Sequence, residues 1–172
     1  EGYAEAVGVT PPHLRDRLYS HRTHQLLRGY RAEYHMHRLM DNAPARSGLD
    51  RAQYADMKLW LPGDILTKVD RTSMAVGLEA REPLLDHRLL EFAASLPESI
   101  KLKGAENKSL LKKVGARLVP REVLYRKKMG FGVPIANWLR GELKDFLRDN
   151  LLSEKFAKRG ILKQDVVEKM IN

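Results

Sequence analysis

The segment 60–87 constrains the fold of this chain more than any other part of the sequence. Between residues 64 and 76 its apolar residues recur at intervals of three and four, which predicts a mostly buried helix. Charged residues stand between them, although a core helix has little room for unpaired charge. Such a helix must pair its charges, either as scaffold or as part of a site. The charged residues of this helix are Asp64, Lys68, Asp70 and Arg71, and Glu79 and Arg81 follow it.

Proline and capping residues set the helix boundaries around this segment. Pro62 is predicted to end a helix over 49–60, and Asp86 to cap a helix that continues to residue 96. Further along, 99–104 is predicted as a short extended segment leading to a turn, Asn107 as the cap of a helix over 107–119, and 135–152 as mainly helical. Strand signals are nearly absent, so the chain is predicted to be all-α.

Composition excludes several classes of site. The chain has 172 residues and no cysteine, which rules out disulfides, thiolate metal sites and a cysteine nucleophile. No apolar run reaches the length of a membrane span, and no signal peptide is recognisable at the first residues, so we expect a cytoplasmic protein with no membrane contact. Five of the six histidines lie in the first third, without the acidic or cysteine partners of a metal site, and no metal site is predicted.

Positive charge is concentrated in one segment. Residues 99–130 hold ten basic residues and two acidic ones, which places +8 of the chain's net charge of +9 in this segment. A local excess of this size predicts an anionic partner more strongly than a high isoelectric point does.

Two motifs carry a resemblance to a known family. The first reads Leu-Pro-Gly-Asp-Ile-Leu-Thr-Lys-Val-Asp-Arg over 61–71, followed by Leu-Glu-Ala-Arg-Glu-Pro-Leu-Leu-Asp over 78–86. The second reads Glu-Asn-Lys-Ser-Leu-Leu-Lys over 106–112. On these motifs the chain resembles the C-terminal, ATP-using half of the glutamine-hydrolysing asparagine synthetases. Within that family it is most similar to the asparagine-synthetase-like amidotransferases that accompany bacterial exosortase systems.

The resemblance implies a fold larger than this chain. The chain would be the helical C-terminal portion of an adenine-nucleotide α-hydrolase-like (ATP pyrophosphatase) α/β synthetase domain, whose parallel sheet would lie upstream. It also implies a variable helical N-terminal segment at 1–48, an asparagine-synthetase-like helical core at 49–152 and a C-terminal helical tail at 153–172. Glu82 departs from the family, in which an apolar or small residue usually precedes this proline.

The same resemblance assigns roles to the cations of the basic segment. A family lysine at the position of Lys108 contacts the phosphates of ATP and the charge that develops during amide formation, which makes Lys108 the candidate catalytic residue. A lysine beside a helix N-terminus is suited to that role, although a solvated lysine of the first turn is the structural alternative. Arg126 and Lys127, in the glycine-containing loop 126–134, are candidates for binding ATP or pyrophosphate, and a basic surface loop without a ligand is the alternative.

For the charged residues of 60–87, the resemblance suggests that Lys68, Asp70, Arg71, Glu79 and Arg81 brace the acceptor or nucleotide side of the site. The alternative is an internal lattice of salt bridges that holds two helices together.

The implied function is that of a carbon–nitrogen ligase. Such an enzyme adenylates a carboxylate with ATP and then forms an amide with ammonia, releasing AMP and pyrophosphate. Its partners would be ATP, a carboxylate acceptor such as aspartate, ammonia from an N-terminal glutaminase domain and a second copy of the full protein, without nucleic acid. ATP and Mg²⁺ are the implied cofactors, with the magnesium ligands upstream of this chain.

Three motifs of that enzyme are not in this sequence: the Ser-Gly-Gly-x-Asp-Ser pyrophosphate loop, the acidic Gly-Asp-Glu segment and the N-terminal cysteine. The chain alone is therefore predicted neither to hydrolyse glutamine nor to turn over ATP. Two other functions fit the basic segment 99–130: a helical nucleic-acid-binding module, which would lose affinity steeply with salt, and a partner-docking helix bundle, which would expose an apolar face.

Overall fold

Helices make up most of the chain, as the sequence predicts. The computed structural model describes residues 2–104, 106–127 and 132–171. The helices are α1 (Gly2–Ala6), α2 (Pro12–Leu18), α3 (His21–Leu27), α4 (Glu33–Asp41), α5 (Gly48–Lys58), α6 (Thr67–Met74), α7 (His87–Ser95), α8 (Glu98–Lys101), α9 (Ser109–Gly115), α10 (Arg121–Leu124), α11 (Ile135–Arg140), α12 (Lys144–Leu151), α13 (Glu154–Lys158) and α14 (Gln164–Ile171). A π-helical segment spans Leu61–Leu66, a 3-10 turn spans Pro83–Leu85, and two short strands are β1 (Leu102–Lys103) and β2 (Glu106–Asn107).

The chain divides into two compact units, one formed by Glu1–Tyr34 with Met129–Asn172 and the other by His35–Lys128. The predicted division at residues 48 and 152 rests on the resemblance and stays a prediction. The upstream parallel sheet likewise stays a prediction.

In the first unit, the turn between α2 and α3 is bonded to the segment before α14. Tyr19 forms an antiparallel bridge with Leu162, and the Ser20 amide donates to the Ile161 carbonyl at 2.9 Å. Ser20 also caps α3 by accepting from the Thr23 amide. These bonds join two parts of the chain that are about 140 residues apart in sequence.

In the second unit, α5 leads into the π-helical segment and then into α6. The helix predicted over 49–60 is confirmed as α5, which ends at Lys58 before Pro62. The chain then continues in the π-helical segment without an intervening loop. The proline occupies the first turn of the π-helical segment, a position where proline is tolerated. The next amide, that of Gly63, still donates to the Leu59 carbonyl at 3.0 Å.

The prediction of a mostly buried helix over 64–76 is wrong. Neither the π-helical segment nor α6 contains a buried residue. Large apolar side chains along 57–92 are exposed instead, among them Trp60 at 49%, Met74 at 57% and Val76 at 79%. The apolar spacing shows which residues share a face, but it cannot show whether another element covers that face. The buried side chains of α5 are the small ones, Ala52 and Ala55.

The predicted start and end of the helix after Asn107 both need correction. Asn107 is the last residue of β2, so it does not cap the helix. The helix is α9, which ends at Gly115 rather than at residue 119, and a methyl group at position 115 would lie 3.1 Å from Leu124 Cδ2. The close packing of α10 on this glycine accompanies the turn of the chain there.

Other boundaries agree with the sequence in part. Asp86 caps α7, accepting from the amides of Arg88 and Leu89, as predicted. The predicted extended segment 99–104 is helical up to Lys101 and extended only in β1, before the turn at Gly104. The predicted helix over 135–152 is broken at Gly141 into α11 and α12. No helix among the described residues is long and apolar enough to cross a membrane.

Candidate functional site

A small hairpin carries the candidate catalytic lysine. Strands β1 and β2 pair in antiparallel fashion, with Leu102 opposite Asn107 and Lys103 opposite Glu106. Lys108 follows β2 and directly precedes α9, so its predicted place beside a helix N-terminus is confirmed. Its backbone is left-handed, with φ 60° and ψ 34°.

The conformation of Lys108 is costly for a residue with a side chain, by about 1–2 kcal/mol. Such strain persists only where the surroundings fix it, and it is frequent at functional sites. The side chain is exposed. Within 2–104, 106–127 and 132–171, the Lys108 ammonium has no hydrogen-bond or ion-pair partner. The result is a strained backbone that presents an unpaired cation to solvent.

Buried polar contacts hold the residues on either side of the hairpin. Ser109 is buried, and its hydroxyl donates to the Ile100 carbonyl at 2.9 Å. Lys101 Nζ donates to Asp50 Oδ1 at 2.7 Å and to the Ala94 carbonyl at 2.8 Å. The hydrogen bond from Lys101 is the main reason why the pKa of the Asp50 carboxyl lies below its usual value, with a further contribution from Ser47.

A second cluster of contacts links α9 to the start of the basic loop. Lys112 lies one turn after Lys108, and its Nζ is 3.5 Å from Glu106 Oε1 and 4.8 Å from the centre of the Tyr125 ring. Arg121 Cζ lies 5.3 Å from the same ring. Two cations on one aromatic ring are attracted by its quadrupole. Tyr125 therefore holds the chain that enters the basic loop to the helix that follows Lys108.

The basic loop is only partly described. Arg126 and Lys127, which follow Tyr125 directly, are exposed and non-helical. Lys128 and the residues up to Phe131 lie outside the described residues. Three cations of the basic segment, Lys101, Lys112 and Arg121, are engaged in contacts within the chain, which leaves them less available to an anionic partner.

The charged residues of 60–87 form local pairs at the surface. Lys68 pairs with Asp64 at 3.1 Å within one helical stretch, and Arg81 pairs with Glu79 at 2.7 Å. All four side chains are at least 40% exposed. No ion pair of these residues bridges two helices among the described residues, so the alternative of an internal lattice finds no support. Asp70 and Arg71 form no ion pair in the described part of the chain.

The structure therefore brings together only some of the predicted site residues. Lys112, four residues after Lys108, contacts Tyr125, the residue before Arg126. No hydrogen bond, ion pair or ring contact between described residues joins Lys108 itself to Arg126 or Lys127. No hydrogen bond or ion pair between described residues joins the 60–87 charges to that cluster. Sequence reasoning missed Asp50 and Ser109. Asp50 lies 51 residues from its partner, and no local pattern announces such a pair.

The described residues suit the phosphates of a nucleotide better than they suit a metal. Lys108, Arg126 and Lys127 are exposed cations of the kind that bind phosphate oxygens. Among the described residues no group of three histidine, aspartate or glutamate side chains could hold a metal ion.

The first unit contains a cavity of about 160 Å³, but its charged groups are already engaged. Arg31 pairs with Asp16 at 3.0 Å, which raises the pKa of the guanidinium. Arg15 pairs with Glu33 and lowers the pKa of that carboxyl. His24 lies edge-on to Tyr19, with its Nε2 3.1 Å from the Asp16 carbonyl oxygen. His24 and the charged side chains around this cavity therefore have structural contacts within the chain that account for their positions.

Comparison with known proteins places the chain in a family. The family model described as asparagine synthase matches residues 5–172. A relative from Bacillus subtilis (strain 168), asparagine synthetase [glutamine-hydrolyzing] 1, is 39% identical over 122 residues, which cover 71% of this chain and 19% of that protein. A putative asparagine synthetase [glutamine-hydrolyzing] from Mycobacterium bovis is 43% identical over 97 residues, covering 56% of this chain and 15% of the relative.

A vertebrate relative matches over a similar share. The asparagine synthetase [glutamine-hydrolyzing] of Gallus gallus is 38% identical over 106 residues, covering 56% of this chain and 18% of that protein. No solved structure matches the chain. The chain spans less than a fifth of the length of these relatives. Since the family model covers nearly all of its residues, the chain belongs to the asparagine synthase family.

Proposed function

We propose that the chain is part of an ATP-dependent, glutamine-dependent amidotransferase of the asparagine synthetase type. The observation that carries the proposal is the family match over residues 5–172, together with relatives whose names specify glutamine-hydrolysing asparagine synthetase. In such an enzyme a substrate carboxylate oxygen attacks the α-phosphorus of ATP and pyrophosphate leaves. Ammonia then attacks the acyl carbon of the adenylate, AMP leaves and an amide remains.

Lys108 is the residue of this chain to which we assign a direct part in that reaction. Its ammonium would contact the phosphate oxygens as negative charge builds on the departing pyrophosphate. A cation lowers this barrier only if it is held in place before the reaction. The left-handed backbone between β2 and α9, which defines the point from which the Lys108 side chain extends, supports this proposal. Arg126 and Lys127 would bind other phosphate oxygens as exposed cations.

The charged residues of 60–87 are assigned a supporting role. We propose that Lys68, Asp70, Arg71, Glu79 and Arg81 face the acceptor or the nucleotide, which is compatible with their exposure. The exposed apolar side chains along 57–92 fit the same proposal, since the predicted parallel sheet of a synthetase domain would cover them.

The donor, acceptor and assembly complete the proposal. Aspartate or a related carboxylate is the acceptor, and ammonia comes from glutamine through a glutaminase domain of the whole protein. Magnesium, which would neutralise phosphate charge when bound, would take its ligands from outside the described residues. A homodimer of the whole protein and the branch associated with exosortases stay predictions.

The test uses the product of the complete open reading frame that contains this chain. Incubated with ATP, aspartate and glutamine or ammonia, it should form AMP, pyrophosphate and asparagine in equal amounts. Omission of the nitrogen donor should abolish the amide. Formation of ADP, or no AMP with any carboxylate offered, would overturn the proposal. Steady AMP formation by the 172-residue chain alone would contradict the prediction that it is inactive by itself.

A further inference from the structure

We propose that Asp50, Lys101 and Ser109 are positioning residues for Lys108, because they fix both ends of the hairpin that carries it. This inference rests on the proposed phosphate role of Lys108. It extends that role to residues that neither the sequence motifs nor the comparisons single out. None of the three needs to touch a substrate, since each acts through the backbone.

The first fixed end is the start of the hairpin. Lys101 is the last residue of α8, and β1 begins at the next residue. Its side chain is only 10% exposed and bonds to Asp50 in the first turn of α5 and to the Ala94 carbonyl in α7. One ammonium therefore joins three helices immediately before the first strand.

The second fixed end is the exit from the hairpin. Ser109, the first residue of α9, is 6% exposed and donates its hydroxyl to the Ile100 carbonyl. Ile100 directly precedes Lys101 in α8. The hairpin therefore begins where α8 ends, and its exit is hydrogen-bonded back to the same end of α8. Strand pairing between Leu102 and Asn107 closes the structure between them.

These contacts explain the strained backbone of Lys108. The residue before it is paired in β2, and the residue after it is buried and bonded. Because neither neighbour is free to rotate, Lys108 has to make the whole change of direction, in the left-handed region. Its exposed side chain has no partner among the described residues, so the backbone alone determines where the ammonium starts.

Loss of the anchors should therefore reduce catalysis more than binding. A cation displaced by about 1 Å can cost on the order of a hundredfold in rate, whereas a flexible lysine can still reach a ground-state phosphate. In the complete protein, Lys101→Met and Ser109→Ala should each lower kcat by about tenfold or more with little change in KM for ATP. Lys158→Met is the matched control, because Lys158 forms an exposed ion pair with Glu154 in the other unit.

Two further variants separate positioning from mere stability. Lys101→Arg retains the charge and should restore part of kcat. The double variant Asp50→Leu/Lys101→Met leaves no partly buried carboxylate without its partner, so part of its resistance to urea should recover while kcat stays low. Hydrogen exchange supplies a readout that needs no activity: peptides covering 100–110 should exchange about tenfold faster in Lys101→Met and Ser109→Ala than in Lys158→Met.

The outcomes decide between the parts of the proposal. Unchanged exchange over 100–110 in the variants would overturn the anchoring. Faster exchange with an unchanged kcat would overturn the link to catalysis and leave the proposed function standing. If the unaltered complete protein forms no AMP, the proposed function and the link to catalysis fail together, whereas exchange still decides the anchoring.

Discussion

The hairpin around Lys108 and the segment 60–87 contain the two clearest motifs of the chain, yet they are built in opposite ways. At the hairpin, partly buried polar contacts of Asp50, Lys101 and Ser109 hold the backbone on either side of a charged residue. Along 60–87, the ion pairs are local and exposed, and large apolar side chains face solvent. The strength of a motif therefore does not measure how well the chain itself positions its residues.

The largest expected difference between the two regions is in catalysis. In the complete protein, Lys108→Gln should lower kcat/KM for AMP formation by about 10²–10³, because one preorganised donor to a developing charge is lost. Lys68→Gln should lower it by less than about tenfold, since its exposed ion pair fixes the ammonium poorly. The rates are compared only between variants whose far-UV circular dichroism spectra show that they are folded to the same extent. Equal losses at the two positions would remove the distinction between the regions.

Stability should show the next largest difference. Lys101→Met should destabilise the chain by about 1.5–3 kcal/mol, because it removes hydrogen bonds to a carboxylate and to a carbonyl in a little-exposed site. Lys68→Met should cost no more than about 0.5 kcal/mol, as surface pairs usually do. Urea unfolding followed by far-UV circular dichroism measures both. A cost for Lys68→Met that matches that of Lys101→Met would contradict the description of the 60–87 pairs as weak.

Glycine substitutions should act in opposite directions in the two regions. Lys108→Gly relieves about 1–2 kcal/mol of left-handed strain and loses about 0.5–1 kcal/mol through the greater freedom of the unfolded chain, so a neutral or slightly stabilising effect is expected. Lys68→Gly lies in an ordinary helix and should cost about 1 kcal/mol. A clear loss of stability in Lys108→Gly would mean that the lysine side chain itself stabilises the turn.

The smallest expected difference is in the response to acid. The pKa values of Asp50 and Asp86 are both lowered, mainly by hydrogen bonds from Lys101 and from Arg88 respectively. Each contributes stability that is present above the unfolded pKa of about 3.8 and is lost as pH falls through the lower folded pKa.

Asp50→Asn should therefore flatten the dependence of stability on pH below about pH 4 more than Asp86→Asn does. The reason is that Asp86 is the more exposed of the two carboxyls, and water screens its bond to Arg88. Thermal unfolding at a series of pH values measures both slopes. A larger flattening in Asp86→Asn would reverse this order.

The features that were predicted correctly depend on residues close together in the sequence, such as a helix cap or a short motif. Asp86 caps α7 as expected, and Lys108 was identified by its motif. The two-residue strands are too short for any periodic signal. The pair of Asp50 and Lys101 joins residues 51 positions apart, and its existence depends on how α5 and α8 pack. Burial along 60–87 was mispredicted because periodicity shows a shared face without showing what lies against it.

The π-helical turn at Leu61–Leu66 affects the direction in which the side chains of α6 point, independently of which residues α6 contains. One residue inserted into a helical turn rotates everything that follows by about 100° around the axis. A relative that lacks one residue of this turn could have the same sequence in α6. Its Lys68, Asp70 and Arg71 would nevertheless face a different neighbour. A change in the length of this turn would therefore redirect the charged residues of α6 while every residue of α6 was retained.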